Sequence, residues 1–306
     1  MEPVSTLETT ESVGPPNTLL YNALRHLLKK RSAVTGLVML GTLILIAIFA
    51  PVIATYDPAQ ILDNAKRNTP PCIHLLGCPA DQTEHYFGID GNSRDFFSRV
   101  IFGSRLSLQI GFVCVTLAIV VGTLLGSVSG YVGGWLDNGI MRIMDVLLAF
   151  PSLLLAIAIV AVLGPGLINT LLAISIVSIP QYARIVRVSV LSIKELDFVT
   201  AARALGASPA RILFQRILPN ALTPLIVQGT LGIATAILDA AALSFLGLGA
   251  QPPTPEWGLM LGEERNNVFN APHLLFIPGI AIVITVLGFN LLGDGLRDAL
   301  DPRLNI

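Results

Sequence analysis

Apolar positions in this chain gather into long uncharged runs instead of alternating at the short intervals of a water-facing helix or strand. No residue between Arg31 and Asp57 is charged, and positions 33–54 are almost wholly apolar. Charge is absent again over 106–136 and over 146–183, where Gly164-Pro165-Gly166 divides the run. Positions 222–246 hold a single acid, Asp239, and positions 266–293 hold no charge. A helix crosses a bilayer with about 20 apolar residues, and within lipid every backbone polar group must be satisfied internally. The runs therefore predict an all-α polytopic membrane protein with six transmembrane helices, near 33–54, 107–129, 144–163, 167–183, 222–246 and 274–293.

Composition supports this and removes other classes. Only 13% of residues are charged, against about 25% in soluble domains. A formal net charge of -1 excludes an electrostatic nucleic-acid binder. Three cysteines are too few for a disulfide-rich secreted scaffold. Of the basic residues, Lys66, Arg67, Arg94, Arg99, Arg105 and Arg265 fall on one side of the predicted spans, and the others on the side of the N-terminus. Basic residues concentrate in the cytoplasm, so both termini are expected inside. Positions 1–32 then read as a cytoplasmic tail, 55–105 as an extracytoplasmic loop, and 296–306 as a cytoplasmic C-terminus. Leu20, Leu24, Leu27 and Leu28 share a helical face beside Arg25, Lys29 and Lys30. They read either as an interfacial helix or as the first turns of span one.

The inner connection, 181–221, is far longer than a helical bundle needs. Within it Thr200, Ala201, Ala202, Arg203 and Leu205 predict a helix that Gly206 stops, with Ala207 following. Ser208 is an N-cap and Pro209 a first-turn proline for a second helix carrying Ile212, Leu213, Phe214 and Ile217, which Pro219 should end. Tethering between two spans argues against a DNA-reading helix-turn-helix. The unit either docks into the groove of a cytoplasmic partner or packs under its own bundle.

Ala201-Ala202, Gly206 and Ile217-Leu218-Pro219 resemble the EAA loop of binding-protein-dependent ABC importer permeases, with Thr200 where that loop usually has Glu. Arg94-Asp95, Gly103-Ser104-Arg105-Leu106-Ser107-Leu108, Leu136-Asp137-Asn138, Pro151-Ser152-Leu153-Leu154 and Gly249-Ala250-Gln251-Pro252-Pro253 agree with the dipeptide/oligopeptide branch, as does the ending from Gly293 to Pro302. The resemblance implies a type I importer fold over 106–295 and a coupling loop at 197–220. It implies a homologous second permease subunit, two cytoplasmic ATPase subunits that bind ATP and Mg, and an extracytoplasmic peptide-binding protein. It also implies residence in the lipid bilayer of a prokaryotic plasma (inner) membrane. Peptides are the expected cargo; glutathione or a metal chelate is the alternative. Within the loop, Thr200, Ala201 and Ala202 permit close approach. Leu205, Ile212 and Leu213 offer apolar anchors, and Arg203, Arg211 and Arg216 read either as pairing with acids on a partner or as solvated surface charge.

The chain's own chemistry points to dependence on partners. Its lysines are Lys29, Lys30, Lys66 and Lys194, and none follows a glycine, so no Walker A loop and no resident cofactor are expected. His26, His74, His85 and His273 form no His-Glu-x-x-His zinc motif. Gly126-Ser127-Val128-Ser129-Gly130 vaguely resembles a serine nucleophile turn, but it lies in an apolar run with no nearby histidine and reads as helix packing. A hydrolase is thereby disfavoured. A channel is disfavoured too, since no filter-like signature or acidic ring appears in the spans. In the outer loop Cys72 and Cys78 read as a disulfide, as free thiols, or with His74 and His85 as metal ligands of no standard spacing. Asp239 costs about 2.5–3.5 kcal/mol at a bilayer centre. It therefore reads as lining the path or as bonding a partner subunit. In the 247–272 loop Trp257 suits the membrane interface; the resemblance makes Trp257, Glu263 and Glu264 candidates for docking the binding protein, and an ordinary solvated loop is the alternative.

Overall fold

A computed structural model describes residues 27–63 and 65–300. The chain forms helix α1, Arg31–Ile48, which breaks at Phe49 and resumes for the single turn Ala50–Ile53. There follow α2, Phe96–Val132; α3, Gly134–Leu148; α4, Ser152–Leu163; α5, Leu167–Ile193; and the short α6, Asp197–Ala204. The long α7, Pro209–Phe245, is followed by α8, Trp257–Glu264, and α9, His273–Leu300. Among the described residues β pairing is limited to two isolated bridges, Cys72 with His85 and Ile89 with Asp95.

Local signals account for the breaks. Asp95 caps α2 by accepting from the Ser98 N–H at 2.8 Å. Gly133 and Gly134, at φ +72° and +64°, turn the chain into α3 through a conformation other residues adopt at a cost. Among the described residues five helices are long and apolar enough to cross a membrane. The expected straight span at 144–163 is corrected: α3 and α4 meet at 93° and make, at most, one bent crossing. Pro151 supplies the reason, because it bars its predecessor from helical geometry. The 181–221 connection is also shorter than expected. Helices α5 and α7 run past their apolar segments and leave only 194–208 between them. Pro219 does not end the second helix. The π-turn Leu213–Ile217 just before it shifts the hydrogen-bond register, with Leu218 donating to the Leu213 carbonyl, and the helix runs on.

The core is the α2–α5 pair with α7 across it, and α9 joins α7 to α1. Gly122, Gly126 and Gly130 make one stripe on α2 against Tyr182, Ala183, Val186 and Val190 of α5. In lipid no solvent drives helices together, so small residues and close backbones carry the packing. The Gly126-to-Gly130 segment is thus helix interface, and Ser127 simply donates to the Leu124 carbonyl. A side chain at 126 would meet the Ala183 carbonyl and the Val186 Cβ, the latter at 2.9 Å. Gly126→Val is expected to cost about 1–3 kcal/mol of packing and to lower the thermal midpoint of the detergent-solubilised protein. An unchanged midpoint would refute this packing argument.

The bundle has two distinct ends. The turn end carries 194–208, where Lys194 Nζ donates to the Gly130 carbonyl at 3.1 Å. Arg187 grips both Asp137 oxygens at 2.6 Å and so holds the start of α3 against α5. Lys30 and Asp298, 3.1 Å apart, put both ends of the described chain here as well. The proposed N-terminal interfacial helix lies mostly outside the described residues; its Leu27 packs on Ala33 and Ala299. The loop end carries 55–95 and α8.

Candidate functional site

At the turn end the chain builds a rigid corner. The Ala207 N–H donates to the Ala202 carbonyl at 3.1 Å and the Gly206 N–H to the Arg203 carbonyl at 3.0 Å. These two bonds form a Schellman cap, which requires the left-handed φ of +80° that Gly206 adopts. Two residues on, Ser208 Oγ accepts from the Arg211 N–H at 3.4 Å, with Pro209 in the first turn of α7. The corner is fastened to the bundle by Val199, Ile212, Leu213 and Ile217, all buried. Its outer side is a groove of about 440 Å³ lined by Phe198, Ala201, Ala202, Leu205, Gly206, Ala207, Arg211 and Arg216.

This arrangement corrects part of the expected anchor set. Ile212 and Leu213 are 1% and 7% exposed and hold the corner in place, so they present nothing to a partner. Leu205 is 88% exposed, and the exposed aromatics are Phe198 and Phe214. Thr200, Ala201, Arg203, Ser208, Pro209, Arg211 and Pro219 are exposed, Ala202, Ala207 and Leu218 half-buried, and Ile217 buried. The helical offset showed which residues share a face but not which face the bundle would cover. Phe198, an aromatic beside Asp197 on a short helix, was the signal available for the exposed face.

At the loop end Cys72 and Cys78 stand side by side, their Cα atoms 5.3 Å apart, a separation that a disulfide spans. His74 and His85 do not join them as a ligand set. His74 Nε2 meets the Gln82 carbonyl at 2.8 Å, while His85 Nδ1 lies 2.8 Å from Asp95 Oδ1. Trp257, Glu263 and Glu264 are corrected as docking residues, because each points into the protein. Trp257 is 1% exposed and donates through Nε1 to the Val100 carbonyl at 3.0 Å. Glu264 accepts from the Gly91 N–H at 2.8 Å and from Asn267 Nδ2 at 2.7 Å. One Glu263 oxygen accepts from Arg94 at 2.9 Å and from Arg99 at 3.0 Å, and Asp90 takes Arg94 Nε at 2.7 Å. Arg99 also donates to the Pro253 carbonyl at 3.1 Å. Two buried arginines would be prohibitive without these acids. Glu256 is buried too; desolvation pushes its carboxyl above the usual range, although the Gly258 and Leu259 N–H groups oppose the shift.

Asp239 sits half-buried on α7, with no hydrogen-bond partner among the described residues. Gln228, Thr235 and Asp239 are spaced by seven and four residues, so they share one stripe along a helix that is otherwise mainly apolar. Gln228 belongs to a cavity of about 440 Å³ nearer the turn end, which it shares with Thr223, Pro224, Leu231 and Arg297. The expectation had named Asp239 alone; the i, i+7, i+11 spacing was the signal for the rest.

The model of the binding-protein-dependent transport system inner membrane component family matches residues 122–306. That of the N-terminal TM domain of oligopeptide transport permease C matches residues 18–71. The dipeptide transport system permease protein DppC of Alkalihalophilus pseudofirmus is 50% identical over 305 residues, 97% of each chain. The glutathione transport system permease protein GsiD of Escherichia coli is 48% identical over 280 residues, 92% of this chain and 89% of that protein. The di/tripeptide transport system permease protein DppC of Pseudomonas aeruginosa is 47% identical over 274 residues, 90% of this chain and 89% of that one. Among solved structures, an inward-facing MetNI methionine ABC transporter superposes with a TM-score of 0.55 at 22% identity, covering 67% of this chain and 97% of that one. That likeness gives the fold, the type I importer arrangement. The chain is a multi-pass membrane protein and a permease subunit belonging to the binding-protein-dependent transport system inner membrane component family.

Proposed function

We propose that this chain forms one half of the translocation path of an ATP-driven importer for dipeptides and short oligopeptides. A homologous permease subunit completes the path, and two ATPase subunits bind ATP and Mg at the turn end. A peptide-binding protein delivers cargo at the loop end. In this reading the turn end is cytoplasmic, with both termini and the 197–220 coupling loop, and the membrane is a prokaryotic plasma membrane. The observation that carries it is the groove at the corner. A rigid, capped turn offers Leu205, Phe198, Arg211 and Arg216 outward, a place where a chain without a Walker A loop can receive mechanical work. Cargo rests on the dipeptide and di/tripeptide permeases, which match over nine-tenths of this chain or more. Glutathione is the second reading, favoured by relatives at 48% identity. It is itself a short peptide, so both cargoes ask the path for the same thing: a hydrated, polar route for a zwitterion.

Uptake by the reconstituted complex tests this. ATP-dependent accumulation of a labelled dipeptide is the expected result; a flux that needs no ATP would indicate a channel instead. Asp239→Ala should lower uptake about tenfold, equivalent to roughly 1.4 kcal/mol, while the complex still assembles. Wild-type uptake by the assembled variant would take Asp239 out of the path.

A further inference from the structure

Two polar side chains, Arg105 and Gln109, open into an outer groove whose other lining residues are apolar. In the half of the bundle nearer the 55–95 loop, α1 and α2 leave a groove of about 400 Å³ between them. Ile44, Ile48, Arg105, Leu108, Gln109 and Phe112 line it. Helix α2 descends from Phe96 while α1 rises to Ile48, so Arg105 and Ile48 stand at the mouth, with Ile44 and Phe112 deeper. Gln109 lies one turn below Arg105, about 6 Å along the axis. Ile44, Ile48 and Phe112 are 39%, 56% and 45% exposed, so the groove faces outward.

The mouth has unused capacity. Val52 donates to the Phe49 carbonyl, which leaves the Ile48 carbonyl outside the helical ladder, and Arg105 Nη2 donates to it at 3.4 Å. The guanidinium carbon also stands 5.9 Å from the centroid of the Phe102 ring. Among the described residues no carboxylate pairs with Arg105, and its other N–H groups have no acceptor. Gln109 is exposed and has no hydrogen-bond partner among them. A guanidinium without a carboxylate at the edge of a span leaves a positive charge for an anion to meet. Its planar fork matches a phosphate bidentately. A cation with no acid at the mouth, a free amide one turn below, and an apolar floor under both describe the order of groups in a phospholipid.

We propose that this groove holds one anionic phospholipid from the leaflet at the loop end. Its phosphate lies on Arg105, its ester oxygens on Gln109, and an acyl chain along Ile44, Leu108 and Phe112. The lipid pins α1 to α2 at the break after Ile48.

The test is lipid retention by the assembled complex, exchanged into phosphatidylglycerol or phosphatidylcholine, delipidated in detergent and weighed by native mass spectrometry. Wild type is expected to keep one phosphatidylglycerol per copy and to release phosphatidylcholine. Arg105→Gln should bind phosphatidylglycerol about tenfold more weakly, with Arg105→Lys in between. Because Arg105 also caps Ile48, a second variant fills the groove and leaves the cap alone: Val113→Trp, in the groove wall, should likewise lose the lipid. Equal retention of both lipids, or retention unchanged in Val113→Trp, overturns the proposal. So does efficient cross-linking of Gln109→Cys to another protein chain, which would make the groove a subunit contact.

Discussion

Replacing Gly206 by valine should abolish coupled uptake while leaving the membrane-spanning helices in place. Gly206 holds φ at +80°, and a Cβ built there would touch nothing within 4 Å. The penalty is therefore conformational, not steric against the fold. A β-branched residue in the left-handed region costs about 1–3 kcal/mol. The protein can escape that cost by opening the cap, giving up the Ala207-to-Ala202 and Gly206-to-Arg203 bonds. A free-energy change of about 1–3 kcal/mol shifts the population of the ordered corner by roughly 5–150-fold, and the groove loses its shape with it. Asparagine tolerates the left-handed region, so Gly206→Asn should retain most uptake. The measurement is peptide uptake and ATPase stimulation in matched vesicles. Uptake by Gly206→Val equal to that of Gly206→Asn would show that the cap geometry is irrelevant to coupling.

Glu263→Ala should be the most destabilising single change at the loop end. The carboxylate accepts from two arginines that come from the end of the 55–95 loop and from the first turn of α2. Arg99 is fully buried and Arg94 nearly so. Removing one partner of a buried ion pair costs about 3–5 kcal/mol, because the other charge stays where water cannot reach it. Asp90 retains Arg94 Nε at 2.7 Å and lies 3.4 Å from Arg99 Nε without hydrogen-bonding to it, so it does not replace the lost bond. Accumulation of folded permease and its thermal midpoint in detergent should both fall sharply. Arg265→Ala, at the exposed neighbour two positions on, should change them by no more than about 0.5 kcal/mol. If Glu263→Ala were as stable as Arg265→Ala, the buried network would not hold the loop to α8.

The parts of this structure legible in the sequence are those decided by near neighbours. The uncharged runs marked the spans because lipid imposes one requirement on every residue within it. Gly206, Ser208 and Pro209 marked the corner because caps are satisfied by atoms only a few residues away. What stayed hidden depended on distant partners. Glu263 read as a surface acid, and the Arg94 that buries it is 169 positions earlier. Trp257 read as an interfacial ring, yet its indole N–H finds the Val100 carbonyl, 157 positions away. Arg94 and Arg99, two arginines close together in an outer loop, were the clue that some of those charges are paired inside. Ile212 and Leu213 failed as anchors for a related reason. Periodicity groups residues onto one face, but only the packed bundle shows that this face is covered. The bend after α3 came from Pro151, which the run of apolar residues masked.

The central claim is that the corner at 197–220 is where ATPase subunits push on this permease. Cysteine cross-linking from Leu205, 88% exposed in the groove, tests it most directly. In membranes holding an active complex, Leu205→Cys is expected to cross-link to an ATPase subunit, with a yield that changes when ATP is added. Val188→Cys, 62% exposed on α5, should not cross-link to it. An active complex in which Leu205→Cys never reaches an ATPase subunit, or in which the cross-linked form imports peptide at the full rate, would contradict the account.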